Sequence, residues 1–241
     1  LRTEEVRPYY EALQKHRGSL VLKRIFDFVV SLVLFCILLP FMIVIGILVG
    51  TTSRGGVFFC QERVTTYGRT FKIIKFRTMV ANAEKLGSQV TTNRDSRVTA
   101  VGRFLRKVRL DELPQIINII KGDMSLVGPR PERPEIAVEY TKEIPEFSYR
   151  LKVKAGLTGY AQVYGKYNTT PYDKLKLDLT YILNYSFLLD LQLIATTVKI
   201  LFQKENTEGV EQWQTTAASG HRKEEDTDRE NIDSAEDGSR P

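Results

Sequence analysis

The feature that most constrains the fold of this chain is a run of apolar residues from 25 to 50, IFDFVVSLVLFCILLPFMIVIGILVG. A helix of about 20 apolar residues is long enough to cross the hydrocarbon core of a bilayer. The run is too long for the apolar part of a cleavable signal peptide, and no small-residue cleavage site follows it. The sequence therefore predicts a helix that is inserted in a membrane.

Pro40 divides this run into pieces of about 15 and 10 residues, each shorter at 1.5 Å per residue than the roughly 30 Å hydrocarbon core. Basic residues flank the run on both sides, and the positive-inside rule would place both ends in the cytoplasm. Two topologies fit this pattern: a re-entrant helix that enters and leaves one leaflet, and a spanning helix that is kinked at Pro40. We take the re-entrant helix, over residues 23–52, as the prediction.

Positive charge is concentrated ahead of residue 203. Residues 203–241 hold 5 Lys or Arg and 11 Asp or Glu, which leaves 30 and 18, a net charge of +12, on residues 1–202. A basic body of this size indicates a polyanionic partner, whether nucleic acid, anionic lipid or a phosphorylated substrate. The tail at 204–241 has few apolar residues and is predicted to be disordered.

The two histidines, His16 and His221, lie near the ends of the chain, so residues 17–220 contain none. This argues against a Ser-His-Asp or Cys-His centre, and against a His-ligated zinc site, in the body of the chain. A metal there would be Mg²⁺ or Mn²⁺ on carboxylates. Cys36 and Cys60 have no metal-ligand spacing and indicate no disulfide framework, which favours reduced thiols on a cytosolic face.

Two adjacent carboxylates, Asp111 and Glu112, follow a basic run and precede a short apolar helix that is predicted at 113–120. Pro114 marks the first turn of that helix, because proline is tolerated there without loss of a hydrogen bond. The unpaired N–H groups and the positive end of the helix dipole would stabilise negative charge on the pair. Two interpretations follow: a pair with a chemical role, and an N-capping Asp beside a solvated Glu.

Residues 57–79 are predicted to form two strands around a turn at Gly68. The second strand carries Lys72, Lys75 and Arg77. Such a group of cations on a strand is typical of a solvated sheet edge, and it is also suited to binding an anion. Both interpretations apply to this hairpin.

A short helix and a polar loop are predicted within residues 80–98. In the segment 151–170, glycines lie around Gln162. This pattern is typical of a pocket-lining loop or of a structural turn. From 172 to 202 the pattern is helical. The apolar stripe of this helix fits either a core helix or a helix on a membrane surface: Leu191, Ile194, Ala195, Val198, Leu201 and Phe202. The predicted fold class is α+β, mainly helical, with a Pro-broken membrane helix, a compact cytosolic domain with a short β-hairpin, and interfacial amphipathic helices.

The order of these motifs resembles the bacterial sugar transferase family, the monotopic phosphoglycosyl transferases. The resemblance covers about residues 23–202. It rests on KRIFDF before the Pro-broken run, QERV and KIIKFRTM in the hairpin, RxxxxDELPQ, KGDMSLVGPRP, AGLTGYAQV, and a late LDLTY and LLDLQLI. An Asp-Glu pair alone would be a weak signal, but this ordered set is specific.

The resemblance implies a reaction: transfer of a sugar 1-phosphate from a UDP-sugar to polyprenol (undecaprenyl) phosphate, with UMP as the second product. It implies the first membrane step in assembly of an exopolysaccharide, capsule or glycoconjugate. The implied location is the bacterial inner membrane, with the catalytic domain on the cytoplasmic face. The expected partners are the UDP-sugar, polyprenol phosphate and membrane lipid, and not nucleic acid.

The resemblance also implies roles for particular residues. Asp111 matches the nucleophile that carries a covalent phosphosugar intermediate, and Glu112 matches a residue that holds Mg²⁺ (or Mn²⁺). Arg130, between two prolines, would bind phosphate. The other implied substrate-binding positions are Lys75 and Arg77 in KFRTM, Gln162 in AGLTGYAQV, and Asp178, whereas Asp190 matches a late acidic position without an assigned role.

The predicted organisation is a polar lead at 1–22, the membrane helix at 23–52, the catalytic domain at 53–203 and the acidic tail at 204–241. Because the chain starts with Leu rather than Met, and larger family members carry membrane spans ahead of this module, we expect it to be a piece of a longer protein.

One residue and one loop differ from the short members of the family. Leu39 stands before the membrane proline where they have Ser, so the re-entrant topology is less directly inherited. The loop at 165–174 also differs, so their sugar preference is not transferred.

Two rival functions account for part of the pattern. A membrane-anchored basic binding module would explain the charge and the apolar run, but not an Asp-Glu pair followed by GPRP. A Mg²⁺-dependent diphosphate hydrolase would use the same residues with water as the acceptor. Release of UMP that depends on polyprenol phosphate distinguishes all three.

Overall fold

The computed structural model describes residues 4–52, 55–81, 83, 95–165 and 169–202. Most of the segment predicted as a short helix and polar loop, and the acidic tail, lie outside these residues. The helices are α1 (Arg7–Lys15), α2 (Arg17–Thr52), α3 (Ala100–Lys107), α4 (Gln115–Lys121), α5 (Pro134–Glu143), α6 (Tyr160–Tyr164), α7 (Pro171–Leu183) and α8 (Phe187–Phe202). The strands are β1 (Phe58–Val64), β2 (Thr70–Phe76), β3 (Met124–Val127) and β4 (Ala155–Thr158). Four 3₁₀ segments also lie within the described residues: Glu4–Val6, Thr66–Gly68, Leu110–Glu112 and Pro145–Lys152. The predicted class, mainly helical with small sheets, is confirmed.

The longest element is α2, a 36-residue helix that continues through Pro40. Within the described residues it is the one helix that is long and apolar enough to cross a membrane. Proline removes one N–H from the helical ladder, but the i to i−4 bonds of the flanking residues keep the helix formed on both sides. The predicted apolar helix is therefore present, without the interruption that was expected at Pro40.

Polar side chains dock the N-terminal part of α2 on the domain. Lys23 and Asp27 are 9% and 2% exposed. Lys23 Nζ lies 2.7 Å from Asp190 Oδ2 on α8. Asp27 accepts hydrogen bonds from Ser125 Oγ at 2.7 Å and Leu126 N at 3.2 Å on β3. Because a buried charge is costly unless it is paired, these bonds favour one register of α2 on the domain.

Apolar side chains dock the part of α2 beyond the proline. Met42, Ile45 and Val49 are buried in one cluster with Phe76 of β2 and Leu105 of α3. The outward face of α2 stays apolar and between 50% and 64% exposed at Ile25, Val29, Val33, Ile37, Phe41, Val44 and Ile47. The helix thus contacts the same domain on both sides of its proline and leaves an apolar face uncovered along its length.

The predicted β-hairpin is confirmed. Strands β1 and β2 pair antiparallel from Phe58 opposite Phe76 to Val64 opposite Thr70. The turn between them contains Gly68 at φ 77°, where a left-handed backbone suits glycine.

A second, parallel pair of strands was not predicted from the sequence. Strand β3 pairs with β4, with Met124 opposite Ala155 and Val127 opposite Thr158. All four residues of β3 are buried. Around this pair lies the main core, which includes Ile119, Met124, Val127, Tyr181, Ile182 and Leu193.

The predicted long helix at 172–202 is wrong in one respect, because the structure divides it into α7 and α8. Asn184 ends α7, and Ser186 begins α8 by accepting a hydrogen bond from Leu189 N at 3.1 Å. Ser is a preferred N-cap, so the break has a local cause. On α8 three residues of the predicted apolar stripe face outward, with Leu191 38%, Val198 49% and Leu201 51% exposed. Ile194 of the same stripe packs against the main core, where Leu193 is fully buried.

Candidate active site

The Asp-Glu pair lies in the 3₁₀ segment Leu110–Glu112, between α3 and α4. Arg109 before it adopts a left-handed conformation with φ 56°, which turns the chain sharply out of α3. Helix α4 begins at Gln115, two residues later than predicted, with Pro114 at its N-cap and no side-chain cap bond among the described residues. The N-capping interpretation of Asp111 is therefore wrong, because Pro114 takes the N-cap position of α4. Asp111 instead lies within a segment that i to i+3 backbone hydrogen bonds order.

Glu112 is held by two cations. Lys75 Nζ of β2 and Arg130 Nη2 of the loop after β3 lie 2.6 and 2.7 Å from the same oxygen, Glu112 Oε1. Burial opposes ionisation of Glu112, but the charges of Arg130 and Lys75 outweigh it and hold its pKa well below the usual range. Glu112 is thus a fixed carboxylate, and the structure brings together three of the predicted site residues.

Asp111 is in the opposite electrostatic situation. Burial, and then the negative charge of Glu112, raise its pKa, while the nearby cations Lys75 and Arg106 oppose the shift only in part. Neighbouring carboxylates whose pKa values are pushed apart are typical of catalytic pairs. Asp111 is the less stabilised anion of the two, as expected of a carboxylate that reacts.

On the side away from Glu112, ion pairs with α7 hold the loop that carries Arg130. The Arg150 guanidinium donates to the backbone oxygen of Arg130 at 3.0 Å, and its Nη2 lies 2.6 Å from Asp178 Oδ2 on α7. Glu132, two residues after Arg130, pairs with Lys174, also on α7. Asp178 is only 1% exposed, so the structure places it behind the site rather than beside Asp111.

The structure does not bring two other predicted residues to the carboxylate pair. Arg77 donates to the backbone oxygens of Gly56 and Phe58 at 3.0 and 3.1 Å, near the end of β2. Gln162 lies on α6, and its side-chain amide is buried without a hydrogen-bond partner among the described residues. The roles of both residues in substrate binding stay predictions.

Two arginines near the site were not singled out from the sequence. Arg106, on the last turn of α3, donates from Nε to Thr78 Oγ1 at 2.8 Å, and its charge offsets part of the rise in the pKa of Asp111. The register places Arg63, opposite Phe71, on the same face of the hairpin as Lys75, opposite Phe59.

Other arginines lie close to Arg63. Its pKa is lowered by burial and by the positive charges of Arg133 and Arg130. Several arginines held close together favour a polyanionic ligand. The signals that could have identified these two arginines are the motifs QERV and RxxxxDELPQ, but which way each side chain points depends on the tertiary structure.

The carboxylates fit a divalent metal that the substrate helps to bind. The described residues contain no group of three or more His, Cys, Asp or Glu that could hold a metal ion. Mg²⁺ is commonly bound by one or two carboxylates together with substrate phosphates and water. Both cations contact Oε1 of Glu112, so within the described chain its Oε2 keeps lone pairs for another ligand. Asp111 and Glu112 therefore suit Mg²⁺ that arrives with a phosphorylated substrate.

Comparisons with known proteins give the same family. A UDP-N-acetylgalactosamine-undecaprenyl-phosphate N-acetylgalactosaminephosphotransferase of Aeromonas hydrophila is 39% identical over 75% of this chain and 43% of its own length. A putative undecaprenyl-phosphate N-acetylgalactosaminyl 1-phosphate transferase of Bacillus subtilis is 44% identical over 57% of this chain and 77% of its own length. A UDP-glucose:undecaprenyl-phosphate glucose-1-phosphate transferase of Klebsiella pneumoniae is 42% identical over 75% of this chain and 40% of its own length.

The chain thus spans about two fifths of the length of two of these relatives. The family model for the bacterial sugar transferases matches residues 18–204, from the start of α2 past the end of α8. This range contains both docked parts of α2, the β-hairpin, the carboxylate pair and the ion pairs behind it. The chain belongs to the bacterial sugar transferase family.

Proposed function

We propose that this chain is a phosphoglycosyl transferase that moves a sugar 1-phosphate from a UDP-sugar to polyprenol phosphate, the first membrane step in assembly of a surface polysaccharide or glycoconjugate. The observation that carries the proposal is the contrast within the carboxylate pair. Glu112 is locked by Lys75 and Arg130, and Asp111 beside it has a raised pKa. The names of the relatives, which specify undecaprenyl phosphate and a sugar phosphate, support the same reaction class.

In the first half-reaction, the carboxylate oxygen of Asp111 attacks the phosphorus that bears the sugar. A new P–O bond forms to Asp111, the P–O bond to the other phosphate breaks, and UMP leaves with the bonding electrons. No proton has to be transferred in this step. Arg130 and Lys75 supply positive charge next to the attacking group, where charge accumulates as the diphosphate reacts.

In the second half-reaction, an oxygen of polyprenol phosphate attacks the same phosphorus. The bond from phosphorus to Asp111 breaks, which restores the carboxylate and releases polyprenyl diphosphate sugar. A covalent carrier lets a soluble donor and a lipid acceptor react in turn at one site. When bound, Mg²⁺ supplies charge neutralisation at the diphosphate, with Glu112 and Asp111 as the residues that would hold it.

The function requires the site to lie at the membrane surface, and the docking of α2 supports this location. Asp27 before the proline and Ile45 beyond it both pack on the same domain. A helix that crossed a bilayer between these points would place parts of that domain on both sides, or within the hydrocarbon. We therefore infer that α2 enters and leaves the cytoplasmic leaflet of the bacterial inner membrane, with the domain on the cytoplasmic face.

Cysteine labelling tests this topology. Single cysteines replace Gly18, where an added Cβ meets nothing within 4 Å, and the exposed Thr52, in a chain whose Cys36 and Cys60 are changed to Ser. A third cysteine at the exposed Lys142 of α5 reports the side of the domain itself. We expect all three to react with an impermeant maleimide only after spheroplasts are lysed. Labelling of positions 18 and 52 from opposite sides would contradict the re-entrant topology.

The reaction is tested by release of UMP from a UDP-sugar panel. We expect release to require polyprenol phosphate for turnover, to stop with EDTA and to return with Mg²⁺, because the diphosphate charge must be neutralised. Continued turnover without the lipid would indicate the diphosphate hydrolase. No release from any donor would favour the binding module. Full activity in chelator would remove the metal role of Glu112.

A further inference from the structure

Three cations from distant parts of the chain lie near the end of α4 that is away from the Asp-Glu pair. Arg24 comes from α2, Arg69 from the end of the hairpin turn, and Lys154 from the residue before β4. The backbone oxygen of Arg69 accepts a hydrogen bond from Thr65 N, and Thr65 Oγ1 in turn bonds Asp123 O and Ala155 N, which brings Arg69 to this end. The terminal nitrogens Arg24 Nη2 and Lys154 Nζ lie 3.0 and 3.6 Å from the position that a Cβ atom on Gly122 would occupy. Gly122 has no side chain to fill this space, and its φ of 91° disfavours any other residue.

The fold holds Arg24 in this position. Its Nη1 and Nη2 donate to the backbone oxygens of Ile119 and Ile120 at 2.7 and 3.0 Å, at the C-terminal end of α4. Cations are favoured at helix C-termini, which explains why one arginine lies here. A guanidinium has five N–H donors, and these two bonds leave three available.

The helix end does not account for all three cations. The described residues form no ion pair within 4 Å to any of the three, Arg24, Arg69 or Lys154. Burial and the like charges of Arg24 and Arg69 lower the pKa of Lys154, and the nearby Asp27 and Asp123 offset this only in part. The carboxylate of Asp27 is occupied by Ser125 and the backbone of β3. The arrangement therefore has a surplus of positive charge.

The position of this cluster relative to the apolar surface indicates what neutralises it. On α2 the side chains around Arg24 are apolar and between 41% and 62% exposed, at Val21, Leu22, Ile25 and Phe28. Arg24 itself lies 5.9 Å from the ring centre of Phe28. Cations at the edge of an apolar, membrane-inserted surface are at the depth of lipid phosphates. This step rests on the membrane placement proposed for α2.

We propose that Arg24, Arg69 and Lys154 form a binding site for the phosphate of an anionic phospholipid head group, separate from the Asp111 site. The two sites are at opposite ends of α4, about 10 Å of helix apart. A lipid bound at Arg24 would hold the start of α2, and with it the end of α4, at a fixed depth. The catalytic pair precedes the other end of α4, so the same contact would set the height of the active site above the bilayer.

Titration with lipids tests this site. Arg69→Gln/Lys154→Gln removes two cations and leaves Arg24, which also caps α4, in place. Detergent-solubilised protein is titrated with short-chain phosphatidylglycerol, and bound lipid is counted by native mass spectrometry. We expect the double variant to bind roughly 25-fold more weakly than wild type, about fivefold for each cation removed. Lys142→Gln, which removes an exposed cation from α5, should stay within twofold.

Three results would overturn the proposal: a double variant within threefold of wild type, wild-type protein that binds phosphatidylcholine equally well, or inorganic phosphate that displaces phosphatidylglycerol at equal concentration. The last result would assign the cluster to a soluble phosphate instead. UMP release is measured separately on the same samples. Its absence in wild type would contradict the proposed reaction, while the lipid titration would still report on this site.

Discussion

Asp111→Asn should abolish sugar-phosphate transfer, by about 10⁴-fold or more, the scale seen when a catalytic nucleophile is removed. The amide oxygen of Asn cannot form the acyl phosphate, so both half-reactions should stop together. The substitution keeps the size of the side chain and leaves Glu112 paired with Lys75 and Arg130. UMP release and formation of lipid-linked sugar are the two measurements.

The same variant should be at least as stable as wild type. The folded-state pKa of Asp111 is raised, first by burial and then by Glu112. A group of this kind contributes stability below its unfolded pKa, and that contribution is lost as the pH rises through the folded pKa. At pH 7 the ionised Asp111 therefore opposes folding, and neutral Asn removes the penalty. The Tm should stay the same or rise.

Asp123→Asn is the matched control, because Asp123 lies just past the other end of α4. The Asp123→Asn protein should keep transfer activity. Its Tm should not rise through loss of charge repulsion, because that repulsion acts between Asp111 and Glu112. An Asp111→Asn protein with a clearly lowered Tm would contradict the electrostatic description. A folded Asp111→Asn protein with near-normal turnover would exclude the covalent route and favour direct transfer between the two substrates.

Arg130→Lys should lower kcat by about 10- to 100-fold although the charge is kept. Arg130 Nη2 bonds Glu112 at 2.7 Å, and its other N–H groups suit a phosphate. Lysine offers a single ammonium in place of the planar fork. A hydrogen bond to a charged group is worth about 1.5–3 kcal/mol, which corresponds to this range of rates.

Arg103→Lys is the control, because it makes the same Arg-to-Lys change on the exposed face of α3. Its kcat should stay within twofold of wild type. The Arg130→Lys result is informative only if the far-UV circular dichroism and the Tm are retained, and both should be, since Arg150 bonds the backbone oxygen of residue 130. An Arg130→Lys enzyme with kcat within twofold of wild type would remove Arg130 from phosphate binding.

The sequence predicted the parts of the fold that depend on local signals. The β-hairpin was predicted from two strand-like stretches around the turn at Gly68, and α2 was predicted from its apolar length. The parallel pair of β3 and β4 was missed, because β3 is only four residues long and buried throughout. A short apolar run without alternation does not differ from a piece of buried helix. Its partner lies in a segment that was predicted as a loop.

Prediction of the site had similar limits. The motifs identified Asp111, Glu112, Lys75 and Arg130, and the structure joins the last three directly. The placement of Asp178 behind Arg150 could not be predicted, because a carboxylate in a helical pattern gives no indication of its partner. Likewise, nothing in the sequence indicated what Lys23 and Asp27 would bind. Their partners on α8 and β3 are 98 or more residues away in the sequence.

The central claim is the covalent role of Asp111, and peptide mass spectrometry after incubation with the donor alone tests it most directly. Wild-type protein given a UDP-sugar and Mg²⁺, without polyprenol phosphate, should gain the mass of one sugar phosphate on the peptide that contains Asp111. The adduct should disappear when polyprenol phosphate is added, and the Asp111→Asn protein should never show it. An unmodified Asp111 peptide in a preparation that releases UMP stoichiometrically with donor alone, or an adduct on another residue, would contradict the account.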